Sequence, residues 1–306
     1  MKEVDLVIIG GGPAGITAAT EAARIGVSVA LIDENENLGG KVFGPTGNAI
    51  KGSASDKIEK DIGSQILKGF NRVRDKISVF LNTEVWDIVD QRIVSLYPRD
   101  GSDKQRKGIK GEKLIISIGA FEKAIPFPGW TLPGVFSVGG LNTLVKKKIL
   151  PGERFLLAGA GPLQLVLANH LINAGANLSA FVNAASLRDI TASAFPLFAS
   201  IDSFKLRSGF DYLRNIKRHN IPIYRSHIIS NVYGSSEVEK AEIVKIDRSW
   251  NPLRGTEKEI SVDTIAYGFG LIPCTELTRL CGCKHIYDER LGYWRVERNE
   301  RMETNI

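Results

Sequence analysis

A glycine-rich turn near the start of the chain has the residue types and spacing of a dinucleotide-binding turn. Residues 10–15 read GGGPAG and match the G-x-G-x-x-G fingerprint directly after an apolar run, Val4–Ile9. In such a turn Gly10 allows the tight bend, Gly12 lets a pyrophosphate approach the backbone, and Gly15 lets the next helix pack on the strand. The helix N-terminus offers N–H groups and partial positive charge to phosphates.

An acidic residue at a suitable distance strengthens this interpretation. The second predicted strand, Val27–Ile32, is followed by Asp33, about twenty residues after the fingerprint. A carboxylate in this place accepts a hydrogen bond from a ribose 2′-hydroxyl. Because strand, turn, helix and acid agree, we predict an adenine dinucleotide site, with Pro13 and Ala14 completing its turn.

No second set of catalytic side chains stands out. The three cysteines lie near the C-terminus and form no C-x-x-C pair, so we expect buried structural thiols and neither thiol–disulfide chemistry nor a metal site. The histidines are scattered, and we expect a structural or surface role for each: His170, His219, His227 and His285. We therefore assign no catalytic residue and expect a bound cofactor to carry the chemistry.

Composition and charge exclude several classes of protein. The 306 residues are 43% hydrophobic and 24% charged, which is typical of a globular protein with two domains. The net charge of +6 comes with basic runs at 104–107 and 146–148, but no aromatic residues interleave them, so we expect no nucleic-acid partner. No apolar stretch is long enough for a membrane span, and Asp5 interrupts the first apolar run, so we expect a cytoplasmic protein without a signal peptide.

The elements that position the first site follow from the hydrophobic pattern. A helix at Pro13–Ile25 and an amphipathic helix at Asp56–Val73 flank a loop rich in Gly and Asn. Three strand-like runs then predict a small antiparallel β-insert before the chain returns to the main sheet. These runs are Ile77–Leu81, Glu84–Val89 and Arg92–Tyr97, followed by polar turns at Arg99–Lys104 and Lys107–Lys113 and a strand at Leu114–Ile118.

A second strand–turn–helix–strand unit begins after a proline-rich crossing at 124–134. It comprises a strand at Arg154–Ala158, a helix at Leu163–Ala174 and a strand at Asn177–Val182. Helical segments are predicted over Ser186–Arg218. More strands are predicted at Ile221–Ser226, Val238–Asp247 and Ile260–Tyr267.

The turn of this second unit keeps only part of the fingerprint. Its residues are Gly159, Ala160, Gly161, Pro162, Leu163 and Gln164, so a glutamine replaces the third glycine. The second strand ends in Val182 and Asn183, neither of which is acidic. Three interpretations stay open: an NAD(P) site, a site for another adenine nucleotide, and a structural relic.

Several segments of the first unit resemble a known family. Asp33-Glu34, Leu38–Lys41 and Ser117–Ala120 are similar to the corresponding segments of flavoproteins with two dinucleotide-binding domains, related to thioredoxin reductase and glutathione reductase. The resemblance implies that the cofactor is FAD. It places the following residues at the FAD site, with Ile118 replacing a usual threonine: Glu34, Gly39, Gly40, Lys41, Val85, Ser117, Ile118 and Gly119.

Further segments, 128–135, 161–165, 267–273 and 281–283, narrow this resemblance. They resemble A-type subunits of opine oxidases, one of the subunits of hydrogen cyanide synthase, and α subunits of dye-linked L-proline dehydrogenases and heteromeric sarcosine oxidase. This implies that the partner is a second flavoprotein subunit, which oxidises an amino acid and exchanges electrons with this chain. The implied fold is α/β with two Rossmann-like domains, the second inserted in the first: 1–123 with 268–306 for FAD, and 124–267 as the second.

Residues 297–306 resemble the segment just before the family's second FAD motif. The resemblance implies that the sequence stops short of that motif's aspartate, from which we expect weak FAD binding. The favoured function is the electron-relaying subunit of a heteromeric amino-acid or opine dehydrogenase or oxidase. The alternatives are a stand-alone NAD(P)H-dependent flavin reductase and a non-catalytic subunit that binds adenine nucleotide.

Overall fold

The computed structural model describes residues 1–43, 54–99, 107–186, 188 and 203–306. These residues form two compact units. The first unit takes its residues from Met1–Pro45, Ile58–Phe121 and Ile272–Ile306, and the second mainly from Glu122–Leu271. The predicted loop residues 44–53, the turn residues after 99 up to 106, and the helical segment over 189–202 lie outside the described residues.

A six-stranded sheet forms the centre of the first unit. Its strands are β1 (Lys2–Ile9), β2 (Val29–Ile32), β3 (Ile77–Phe80), β4 (Thr83–Val89), β5 (Ile93–Pro98) and β6 (Lys107–Ile116). The order is β3-β2-β1-β6-β5-β4. The pairs of β1 with β2 and β6, and of β2 with β3, are parallel, whereas β5 pairs antiparallel with both β6 and β4. A short strand, β7 (Ala120–Glu122), follows.

The helices of this unit's first part are α1 (Pro13–Arg24), α2 (Gly40–Phe43) and α3 (Ala54–Asn71), and a short 3-10 helix follows at Arg74–Lys76. Of these helices, α1 and α3 pack small and apolar residues on one face of the sheet. Ile16, Ala19 and Ala23 of α1 are fully buried and belong to one apolar cluster with Leu31 and with Phe70 of α3. All four residues of β2 are buried, as expected for a central parallel strand covered on both faces.

The second unit has a five-stranded parallel sheet with the order β11-β10-β9-β15-β8. Its elements in chain order are β8 (Val135–Ser137), α4 (Val138–Lys146), β9 (Arg154–Gly159), α5 (Pro162–Asn173), β10 (Asn177–Asn183), α6 (Ser203–Arg218), β11 (Ile223–Arg225), β12 (His227–Tyr233), β13 (Lys240–Lys245), β14 (Lys258–Ser261) and β15 (Thr264–Gly268). Strands β12, β13 and β14 form a separate antiparallel sheet.

Alternation along β9 divides the core of this unit into two layers. Phe155 and Leu157 belong to a cluster with residues of α4, α5 and α6. Leu156 and Ala158 point the other way and cluster with Ile229 and other residues of the antiparallel sheet. The parallel sheet is therefore covered on both faces.

The last elements are β16 (Leu271–Pro273), α7 (Glu276–Leu280), β17 (His285–Asp288) and β18 (Tyr293–Val296). Strands β17 and β18 form an antiparallel hairpin. Leu277 and Cys281 belong to the buried cluster of Val4, Ile9 and Ile88, which anchors α7 on the first sheet. None of the helices within the described ranges is long and apolar enough to cross a membrane.

The predicted α/β class with two Rossmann-like units, the second inserted in the first, is confirmed. Two local predictions need correction, and one strand was not predicted. Lys107–Lys113 is part of β6 and not a turn, because its backbone pairs with β1 and β5 and its Ile109 is buried. The predicted run Ile260–Tyr267 is divided between β14 and β15, which pair in different sheets, and β12 was not predicted. The antiparallel strands β4 and β5 continue the main sheet through β6.

Candidate functional site

The glycine turn of the first unit, residues 10–15, connects β1 to α1 and is called the first turn. Gly10 has φ +103° and donates its N–H to the Ile32 carbonyl oxygen at 2.8 Å. A Cβ on Gly15 would collide with the Gly10 carbonyl oxygen, so only glycine allows the helix to start this close to the strand. A Cβ on Gly12 would have none of the described residues within 4 Å, so these residues leave space open there.

The first turn also has the electrostatics of an anion site. Pro13 is the first residue of α1 and has no N–H to offer, while Ala14 and Gly15 follow it in the first helical turn. The N-cap residue Gly12 has no side chain to cap the helix, and the N-terminal end of α1 contains no acidic residue. The backbone N–H groups at the N-terminal end of α1 and the positive end of its dipole are thus available to a phosphate.

Asp33 is 8% exposed and holds the first turn from the end of β2. Its Oδ2 accepts a hydrogen bond from the Gly11 N–H at 2.5 Å. Its Oδ1 accepts two more, from the Asn35 N–H and the Asn35 side-chain amide, both at 2.8 Å. Asn35 was not predicted from the sequence. In an Asx turn the side chain of an aspartate accepts a hydrogen bond from the backbone N–H two residues further on, which is the relation of Asp33 to Asn35.

The loop that contains Gly39 and Gly40, called the Gly-Gly loop, lies against the first turn. The Gly39 N–H donates to the Gly11 carbonyl oxygen at 2.9 Å, and a Cβ on Gly40 would lie 3.0 Å from the Gly12 Cα. Lys41 Nζ donates to the Ala120 carbonyl oxygen at 3.1 Å. The structure therefore brings the residues 39–41 together with the first turn.

Ser117 fixes the opposite side of the first turn. Its N–H donates to the Ile9 carbonyl oxygen at 2.7 Å, and its hydroxyl donates to the carbonyl oxygens of Ile9 and Gly10 at 3.0 and 2.9 Å. Ile118 packs on the core cluster that contains Ile9, and Gly119 accepts a hydrogen bond from the Cys274 N–H at 3.1 Å. Ser117 thus lies against the first turn. The hydrogen bond from Cys274 to Gly119 was not predicted.

Charged groups surround the Cys274 thiol. Burial, followed by the Glu276 carboxylate, raises the pKa of this thiol, whereas the Lys41 ammonium acts in the opposite direction. The thiol is therefore protonated at neutral pH and is not a nucleophile in this state.

Glu34 and Val85, the remaining predicted FAD-site residues, make their contacts elsewhere in the first unit. The Glu34 side chain is exposed, and its Oε2 lies 3.6 Å from Nη1 of Arg99. Another nitrogen of the same guanidinium group, Nε, lies 3.9 Å from Oε2 of Glu84. Val85 is on β4, is partly buried and packs against the core cluster that contains Val4 and Ile9. That strand meets the site at Thr83, whose N–H donates to the Asp33 carbonyl oxygen at 3.0 Å.

The turn at residues 159–164, called the second turn, is built differently. Gln164 is 1% exposed, and its Nε2 donates to the carbonyl oxygens of Ala158 and Gly268 at 2.6 and 3.2 Å. Its Oε1 is buried and has no hydrogen-bond partner among the described residues. The glutamine side chain therefore ties α5 to the ends of β9 and β15, in the place where the fingerprint has its third glycine.

The other residues of the second turn lie at the end of β9 and at the start of α5. Gly161 is the N-cap of α5, and Pro162 is its first residue. Leu163, the next residue of α5, is partly buried and packs on the core of the second unit. Gly159 ends β9, and its carbonyl oxygen accepts a hydrogen bond from the Ala184 N–H at 2.8 Å. The Asn183 side chain is bonded to the Ala185 N–H at 2.8 Å.

An acidic side chain lies beside the second turn. Glu122 Oε1 accepts a hydrogen bond from the Gly139 N–H at 2.7 Å, and its other oxygen would lie 3.2 Å from a Cβ on Gly268. Burial, with a further contribution from Glu122, raises the pKa of the neighbouring Tyr267 phenol. A carboxylate in this position disfavours an incoming phosphate.

The histidines and cysteines make local contacts. Of the predicted buried thiols, Cys281 is buried, but Cys274 and Cys283 are only partly so, which corrects that prediction. The histidine rings make local hydrogen bonds: His170 to Asn142 at 2.7 Å, His219 to the Asn215 carbonyl at 3.0 Å, His227 to the Arg225 carbonyl at 2.7 Å, and His285 to Thr278 at 2.9 Å and to the Cys283 carbonyl at 2.8 Å.

Sequence comparisons identify relatives of this chain. It is 30% identical over 301 residues to hydrogen cyanide synthase subunit HcnB of Pseudomonas protegens, covering 98% of this chain and 63% of that protein. It is 28% identical over 311 residues to the A-type subunit of opine oxidase from Rhizobium meliloti, covering 99% of this chain and 64% of that protein. The chain thus spans less than two thirds of the length of these relatives.

Solved structures share the fold. Thioredoxin reductase from T. acidophilum superposes with a TM-score of 0.66 at 22% identity, covering 100% of this chain and 88% of that one. L-proline dehydrogenase from P. horikoshii gives a TM-score of 0.62 at 20% identity, covering 98% of this chain and 49% of that one.

The family described as "Pyridine nucleotide-disulphide oxidoreductase" matches residues 4–306, which is nearly the whole chain. The resemblance noted from the sequence is thereby confirmed. The chain belongs to the pyridine nucleotide-disulphide oxidoreductase family, within the FAD/NAD(P)-dependent oxidoreductases.

Proposed function

We propose that the first unit binds FAD through the first turn, Asp33 and the Gly-Gly loop. One observation carries this proposal: both polar groups of the Gly11 residue are held, its N–H by the Asp33 carboxylate and its carbonyl oxygen by the Gly39 N–H. The loop and the acid that meet a dinucleotide in this family are thus fixed on the turn that meets its pyrophosphate. The open space at Gly12 and the uncapped helix N-terminus fit that group.

The residues of this chain bind and orient the cofactor. When bound, a flavin supplies reversible transfer of one or two electrons. Gly12 and the first turn of α1 would hold the pyrophosphate, and Asp33 would accept a ribose hydroxyl. Lys41, whose ammonium contacts Ala120, and the adjacent Ser117–Gly119 would line the remainder of the site. No acid or base of this chain is assigned to the reaction.

The proposed role is the electron-relaying part of a heteromeric amino-acid or opine dehydrogenase or oxidase. Support comes from the relatives, which carry the names of subunits of hydrogen cyanide synthase and opine oxidase. Their names imply further subunits, and the proposed partner is a second flavoprotein subunit that oxidises the substrate.

The second turn is proposed to be structural and not an NAD(P) site. Gln164 fills the place of the third glycine, and Glu122 places negative charge beside the turn. The end of β10 has no acid to bind the ribose of a nicotinamide nucleotide, since the strand ends in Val182 and Asn183. This argues against the stand-alone NAD(P)H-dependent flavin reductase.

A comparison of two electron donors tests the proposed role. The FAD-loaded chain is mixed without oxygen first with NADH or NADPH, and separately with the co-expressed partner flavoprotein and its amino-acid substrate. We expect the oxidised flavin absorption to persist with either nicotinamide nucleotide and to bleach with partner and substrate. Rapid bleaching by NADH or NADPH alone would show a reductase and overturn the relay role.

A further inference from the structure

Asn35 is bonded to the Asp33 carboxylate in a way that the dinucleotide fingerprint does not require. Its backbone N–H and its side-chain amide both donate to Oδ1, each at 2.8 Å. Oδ2, the other oxygen, faces the Gly11 N–H at 2.5 Å. The two oxygens of one carboxylate are therefore assigned to different partners.

This arrangement limits what Asp33 can still accept. A carboxylate has about four lone-pair sites, two on each oxygen. Asn35 takes both sites on Oδ1, and Gly11 takes one on Oδ2. One site remains, on the oxygen that already contacts the first turn.

Asn35 is well suited to hold this orientation without being part of the core. The residue is exposed, and its carbonyl oxygen accepts a hydrogen bond from the Asn82 N–H at 3.0 Å, which connects the loop to the start of β4. The terminal torsion of an aspartate is broad, so an unrestrained carboxylate rotates readily. The side-chain amide of Asn35 restrains that rotation together with the backbone N–H groups of Gly11 and Asn35.

We propose that Asn35 is a positioning residue, which orients Asp33 so that Oδ2 accepts a single ribose hydroxyl of an adenine nucleotide. The inference rests on the proposed nucleotide site at the first turn, but it does not require that the nucleotide carry a flavin. It assigns discrimination between the two ribose hydroxyls to the pair Asp33–Asn35.

The test uses ADP, 2′-deoxy-ADP and 3′-deoxy-ADP as probes, titrated calorimetrically into the full chain. For the wild-type chain we expect one of the two deoxy compounds to bind about tenfold more weakly than ADP, the factor typical of one hydrogen bond to a charged group. The other deoxy compound should bind about as well as ADP, because Oδ2 has a single free site.

Asn35→Ala should weaken ADP binding about fivefold and reduce the discrimination to about twofold, because the carboxylate loses the side-chain hydrogen bond and keeps only its two backbone hydrogen bonds. Asn35→Ser, whose hydroxyl can donate to Oδ1, should restore part of the discrimination. The matched control is Asn37→Ala, a change at another exposed asparagine of the same loop, outside the hydrogen bonds of Asp33. A role in stability alone would not change the ratio between ADP and its deoxy analogues.

The inference is overturned if Asn35→Ala keeps the wild-type ratio, or if the wild-type chain fails to distinguish either deoxy compound from ADP. A parallel FAD titration separates this result from the proposed function. If ADP binds with the expected discrimination but FAD does not bind, the role of Asn35 stands and the assignment of FAD fails.

Discussion

Gly12 and Gly15 lie three residues apart in the first turn, yet a side chain would have opposite consequences at the two positions. A Cβ on Gly15 collides with the Gly10 carbonyl oxygen and lies 2.8 Å from the Ser117 hydroxyl, whereas a Cβ on Gly12 has open space. The first glycine of this pair is therefore available to a ligand, and the second is required by packing.

A pair of alanine variants separates these roles. Gly15→Ala should lower the free energy of unfolding by about 2 kcal/mol or more, because backbone must move to admit the methyl group. Gly12→Ala should cost about 1 kcal/mol or less, the loss expected at an N-cap, but should weaken FAD binding about tenfold or more by blocking the approach of the pyrophosphate. Urea unfolding and FAD titration of both variants measure this. Equal loss of stability in the two variants would contradict it.

The residues of the site were predictable to different degrees. The first turn and Asp33 follow from local spacing, because the fingerprint is contained in one strand–helix–strand unit. Asn35 acts through a hydrogen bond that an Asx-turn pattern suggests but does not establish. The role of Gln164 could not be predicted, because one of its partners, Gly268, is distant in sequence and reaches it only through sheet pairing.

Among the elements of the fold, α7 is anchored by Cys281, which lies just beyond its end. The residue is buried in the cluster that contains Val4 and Ile9. Burial, with a further contribution from Cys283, raises the pKa of the Cys281 thiol from 9.0 to about 11. The folded protein therefore favours the neutral thiol over the thiolate.

This pKa predicts a stability change in alkaline solution. A raised pKa in the folded state contributes stability that is fully present below pH 9 and is lost as pH rises towards 11. The wild-type chain should lose up to about 2 kcal/mol of unfolding free energy over this range relative to Cys281→Val, which keeps the site apolar. Urea unfolding of both proteins at several pH values measures the difference. Parallel pH profiles would contradict the prediction.

Strand boundaries show where sequence patterns fail for whole elements. The residues of Lys107–Lys113 are mostly charged or glycine, and they read as a turn by composition. They form a strand because β1 and β5 provide backbone partners on both sides, and β1 is distant in the sequence. By contrast, β2 and β9 were predicted closely because their apolar runs are buried on both faces.

In the molecule as a whole, the two units repeat one architecture with different turns. The first turn is open at Gly12 and held by an acid, whereas the second is tied by Gln164 and lies beside Glu122. We therefore propose that the cofactor binds to the first unit. Because the chain spans 63% of HcnB, its activity and partner are proposals drawn from relatives that are subunits by name.

Binding of FAD at the first turn is tested most directly by mass spectrometry of the native protein, purified with its nucleotide. The comparison is the Gly12→Asp variant, which places a negative charge in the open space of the first turn. We expect FAD as the retained nucleotide of the wild-type protein, at substoichiometric occupancy because we expect weak binding, and no FAD in the variant, with both proteins folded. ATP or NAD in place of FAD, or FAD retained by the variant, would contradict this assignment.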